Sequence, residues 1–216
     1  MKKNIKILSL LLVLVLTLVL SACGDPEKLE APEIFLNETS ISWLGIENSN
    51  GYKVFVNDEE FETTSVVFDL KDIVESSYEI TVVALGDGKD FADSDPSNKI
   101  SITPANKVEL DKLPVVSGKL SYKLKVSSNA DVLGFVFEVS FPNDKLTLTE
   151  ANVKWNTNVP TNWVRDVNVE EGLVTIAITG LDPISVRLLQ TFLTLEFTGT
   201  DANANVKVES FVIDNG

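Results

Sequence analysis

Leu133-Gly134-Phe135-Val136-Phe137-Glu138-Val139-Ser140-Phe141 alternates side chains with a period of two. It places Phe135, Phe137, Val139 and Phe141 on one face of an extended strand and Val136, Glu138 and Ser140 on the other. Three phenylalanines on one face carry enough apolar area to nucleate a sandwich core. Upstream, Lys119 to Val126 repeats the pattern, with Leu120, Tyr122, Leu124 and Val126 set against Lys119, Ser121, Lys123 and Lys125. That is a half-buried strand whose wet face carries lysines, a composition that also protects an edge. Ala105 to Lys112, between this strand and what precedes it, reads as a polar connector.

From Ala31 onward the same alternation recurs, with no helical periodicity beside it. Runs of five to eight residues rich in Val, Ile, Thr and Phe are separated by Asn-Gly, Gly-Asp-Gly and Pro-Asn turns. The chain is all-β by this reading, and residues 31–104 divide into about seven runs, Tyr78 to Ala84 being the longest.

The N-terminus follows a different rule. Lys2, Lys3 and Lys6 precede an almost unbroken Leu/Val/Ile stretch from Ile7 to Leu20, and Leu20-Ser21-Ala22-Cys23 closes it. A charged start, an apolar run slightly short for a membrane span, and small residues at its end make a secretory signal. The ending resembles the lipobox of bacterial lipoproteins. The resemblance implies a signal helix over residues 1–22, acylation of Cys23, and a mature chain held on the extracellular face of the membrane. Residues 23–30, polar and containing Pro26, read as a tether to the first fold.

Charge and composition narrow the function. The chain has 32 acidic and 18 basic residues, and removing the three leader lysines leaves a mature charge of −17. Such an excess excludes nucleic acid as a partner and disfavours lying flat on anionic lipid. Cys23 is the only cysteine, so apolar cores hold the fold without disulfides. Histidine is absent, which rules out Ser-His-Asp catalysis and His-ligated metal. Carboxylate chemistry remains, but small sandwiches leave little material for the deep cleft a glycosidase needs. The expectation is a protein that is not an enzyme and uses no cofactor. The acidic loop Asp87-Gly88-Lys89-Asp90-Phe91-Ala92-Asp93-Ser94-Asp95 lacks the spacing of a calcium-binding loop and reads as a solvated hairpin loop, so no metal site is expected.

Two family resemblances emerge. Early Pro32, Trp43 on the second run, Leu70 before Tyr78, and late Ser94-Asp95-Pro96-Ser97 resemble a fibronectin type III domain over residues 31–104. In such domains Tyr78 would be the corner tyrosine. The second resemblance follows the order from Gly134–Phe141 through Pro142-Asn143-Asp144-Lys145, Leu146-Thr147-Leu148 and Trp163. It continues in Gly172-Leu173-Val174-Thr175-Ile176-Ala177, Phe192-Leu193-Thr194-Leu195-Glu196-Phe197 and Val206 to Gly216. This looks like a cohesin domain over residues 107–216, a jelly-roll sandwich that holds dockerin-bearing enzymes. Two departures stand out. Cohesins usually carry one more strand after the place where this chain stops, and Gly134 and Val136 occupy positions where Asn and Asp are common.

The resemblance implies a dockerin-type partner, in polysaccharide degradation, bound on a sheet face: Val136, Glu138 and Ser140, with Leu173, Thr175 and Ala177 of the next strand if Val174, Ile176 and Ile178 point inward. The same face could equally be ordinary solvated sheet. Trp155 and Trp163, eight residues apart among Asn and Thr, offer an alternative: stacking on a polysaccharide, or simply capping the sandwich. A purely structural envelope lipoprotein is the third reading.

Overall fold

A computed structural model describes residues 25–70, 77–199, 201 and 203–215. The signal helix expected over residues 1–22, and Cys23, lie outside the described residues. Among the described residues eighteen strands run in chain order: β1 (Glu27–Lys28), β2 (Phe35–Asn37), β3 (Ser40–Ser42), β4 (Gly51–Val56), β5 (Glu59–Thr63), β6 (Val67–Asp69), β7 (Tyr78–Leu85), β8 (Phe91–Ala92) and β9 (Ile100–Ile102). They continue as β10 (Lys107–Lys112), β11 (Lys119–Ser127), β12 (Val132–Ser140), β13 (Leu146–Thr147), β14 (Val153–Trp155), β15 (Val164–Glu170), β16 (Leu173–Ile184), β17 (Gln190–Gly199) and β18 (Lys207–Asp214). The described residues contain no α-helix, only a single 3-10 turn at Glu150–Asn152.

In the first half, β2-β3-β6 and β5-β4-β7-β9 form two sheets. Their inner faces meet around Ile34, Ile41, Val54, Ile80 and Val82, with Trp43 edge-on to Tyr52 at 5.1 Å. Tyr78 and Leu70 are buried in the same cluster. The Ser-Asp-Pro-Ser segment runs beside β7, where a proline has no N–H to give. There the Ser94 and Ser97 hydroxyls accept the N–H groups of Ala84 and Val82, both at 2.9 Å. Their own N–H groups donate to the carbonyls of the same two residues.

The structure corrects the tether at its distal end. Glu27 and Lys28 pair in parallel with Phe91 and Ala92, and the Leu29 side chain is buried in the first core. A single leucine among polar residues gave little sign of this, yet its burial is what fastens the segment. The connector reading is corrected too. Lys107–Lys112 is a strand paired along its length with β11, and Val108 and Leu110 turn inward while Glu109 and Asp111 face Lys125 and Lys123. Alternation was present there but masked by charge on every outward position.

In the second half β10-β11-β17-β13, with β14 also on β17, faces β15-β16-β12-β18. Phe135 and Phe137 are buried between the sheets, Phe135 meeting Phe192 edge-on at 5.0 Å. Among the described residues β18 is bonded to β12 alone, and β10 to β11 alone.

Candidate functional site

Strand β12 sits inside its sheet, antiparallel to β16 on one side and β18 on the other. Because register partners share a face, the residues marked from sequence fall into adjacent pairs: Val136 beside Ala177, Glu138 beside Thr175, Ser140 beside Leu173. Val174, Ile176 and Ile178 are buried, so their neighbours do point outward. The rows extend further than the sequence indicated. Val136 continues to Val212 on β18, and Ala177 to Asp166 on β15; Glu138 continues to Ser210, and Thr175 to Asn168.

The resulting face has an apolar strip, Ala177–Val136–Val212, with Val212 57 % exposed. Carboxylates border it: Asp166, Glu138, Glu170 and Glu209, with Lys207 as a counter-charge. Several are held in place. The Ser210 hydroxyl donates to Glu138 Oε2 at 2.8 Å, and the Ser140 hydroxyl to Glu209 Oε1 at 2.6 Å. Lys207 and the Ser140 hydroxyl hold the Glu209 carboxyl below its ordinary value. A register shift between Glu138 and Val139 turns Glu209 out beside Lys207. Sequence reading missed β18 as a contributor, because its place beside β12 is a long-range pairing without a local signal.

Gly134 sits at a close approach of strands β12 and β16. A Cβ there would lie 2.6 Å from the Ile178 carbonyl oxygen, so an asparagine cannot be accommodated on this backbone.

The two tryptophans are placed differently. Trp163 is buried against Gly180, and a Cβ on that glycine would stand 2.1 Å from the indole nitrogen. Trp155, on β14 opposite Leu193, packs its ring against the core, and the Arg165 guanidinium lies 5.2 Å over it. Arg165 is anchored in turn by the Val159 and Pro160 carbonyls, each at 3.1 Å. A cation over the ring and the core against its body leave Trp155 only partly exposed.

The acidic loop is committed to its own turn. Asp87 Oδ1 accepts the N–H groups of Lys89, Asp90 and Phe91, the bond from Phe91 doing most to hold its carboxyl below the ordinary value. Asp93 accepts from Gly86, and Asp95 pairs with Lys28 at 2.5 Å. Among the described residues no group of His, Cys, Asp or Glu is arranged to hold a metal ion.

The described residues are nearly all β, and their second half presents a broad, mixed sheet surface. No family model and no curated protein matches the chain. Among solved structures, it is similar to the cohesin module of a Clostridium perfringens family 33 glycoside hydrolase, at 12 % identity over 51 % of this chain and 84 % of that one, with a TM-score of 0.40. It is also similar to the sixth cohesin of Acetivibrio cellulolyticus scaffoldin B, solved with a Cel5 dockerin mutant, at 13 % identity over 51 % and 86 %, with a TM-score of 0.41. A two-domain fibronectin type III segment of chicken tenascin matches at 13 % identity over 87 % and 91 %, with a TM-score of 0.28.

Proposed function

We propose that this chain is a lipid-anchored, non-enzymatic binding protein on the outer face of a bacterial membrane. In this reading residues 31–104 are a fibronectin-like spacer and residues 107–216 a cohesin-like module. The module docks a dockerin-type protein, in polysaccharide degradation, on the outer face of β15-β16-β12-β18. The observation that carries the reading is the apolar strip Ala177–Val136–Val212 inside a frame of carboxylates. An apolar centre with a polar rim is the usual anatomy of a docking surface. The excess of acids on that rim selects a partner with apolar side chains flanked by Lys or Arg, and it speeds encounter with such a surface.

The full chain, used as bait against the secreted proteins of a dockerin-producing bacterium, should retain a dockerin-bearing protein. Val136→Arg should abolish retention with the far-UV and near-UV spectra unchanged, because Val136 is exposed and its replacement leaves the core intact. Undiminished retention by that variant would place the docking surface elsewhere.

A further inference from the structure

The two halves meet at a junction that the docking reading does not use. The β2–β3 turn of the first half reaches the outer side of β11 and β17. Glu38 Oε1 accepts the Thr191 hydroxyl at 2.8 Å and Oε2 accepts the Thr191 N–H at 3.1 Å. Lys123 and Lys125 each stand 3.7 Å from Oε1. Thr191 is 2 % exposed and lies beside the register shift where β17 inserts Phe192 between the partners of Leu124 and Lys125. A second contact comes from the opposite direction. In the segment joining β16 to β17, Val186 enters the second core, whereas Leu188, two residues on, enters the first. Between these contacts the junction is open, a cleft of about 330 Å³ lined by Leu36, Ile102, Leu188, Lys125 and Arg187. Across this cleft the halves are joined by the Glu38 contacts and by the buried Leu188.

The backbone at Glu38 is left-handed as well. Its φ is +43°, a left-handed conformation that glycine takes freely and that costs a glutamate on the order of 1 kcal/mol.

We propose that the Glu38 carboxylate is the clasp that fixes the two sandwiches as one rigid body. The open face of β15-β16-β12-β18 then points in a set direction from the N-terminal end of the fold. The clasp acts without any partner, so its test is separate from that of docking.

Spin labels placed by Asp58→Cys and Asp144→Cys, both at exposed turns in different halves, report the distance between the halves in the full chain carrying Cys23→Ser. The chain with Glu38 intact should give a narrow distance distribution. Glu38→Gly relieves the turn strain but removes the clasp, and Glu38→Ala removes the clasp while leaving the strain. Both should broaden the distribution at least twofold, with the near-UV spectrum of the tryptophans retained. A broad distribution with Glu38 present, or a narrow one in either variant, would overturn the proposal. If one variant fails to fold, the other carries the same two outcomes.

Discussion

Glu38 receives both of its hydrogen bonds from one residue, Thr191, 153 positions further along the chain. The hydroxyl and the N–H of that threonine are satisfied by the two oxygens of a single carboxylate. No water need be trapped, and neither buried donor is left unpaired. This matters because an unsatisfied buried donor costs about 1–3 kcal/mol.

The pairing makes the junction sensitive to acid. Partial burial pushes the Glu38 carboxyl up, but the Thr191 hydroxyl and N–H bonds and the charges of Lys123 and Lys125 outweigh it, so its value lies below the ordinary 4.5. Lys125 also faces Asp111 at 2.5 Å, and Arg187 and Lys107 line the adjoining cleft. A carboxylate depressed in the folded state contributes fully above its unfolded value and loses that contribution as pH falls through the lower one. The spin-label distance distribution should therefore stay narrow from pH 7 to about 4.5 and broaden below it. In Glu38→Ala this step should be missing.

Leu29→Ala should destabilise the first sandwich by about 2–4 kcal/mol, the usual cost of emptying a buried leucine site. Urea unfolding followed by the fluorescence of Trp43 measures it. A residue in a free tether would give a change near zero.

Gly180→Ala should cost about 1–3 kcal/mol, since the new methyl group would overlap the Trp163 indole and the ring must move. A red shift of tryptophan emission in the folded state, together with a lower urea midpoint, is the expected result.

Trp155→Ala should lower stability by roughly 1–3 kcal/mol, because a half-buried ring and the cation over it are lost. Retention on insoluble polysaccharide should be unchanged. A selective loss of retention with stability intact would restore the sugar-stacking reading.

Much of this arrangement was legible in the residues themselves. Phe135, Phe137, Val139 and Phe141 announce an inward face by strict alternation, and the structure buries all four. The outward set on β12 and β16 follows from the same period of two, without knowledge of which strands pair. Strand β10 was obscured because Glu109 and Asp111 answer lysines on β11, and that charge pairing is visible only once the strands are adjacent. Val212 and Ser210 escaped notice for a similar reason: nothing local says that β18 lies beside β12. The Glu38 clasp was invisible for the opposite reason. In sequence it is one acid among 32, and only its distant partner distinguishes it.

Strand β12 has one more consequence. Its two neighbours arrive in turn: β16 begins 33 residues after β12 ends, and β18 only 67 residues after. Until that final segment has emerged, one side of the phenylalanine-rich strand is a bare ladder of N–H and C=O groups, ready to recruit any passing strand. Burial of the aromatic core must therefore wait until β18 has been made, which makes assembly slow and non-local. Clipping the chain at Val206 should yield an aggregating product rather than a smaller soluble one.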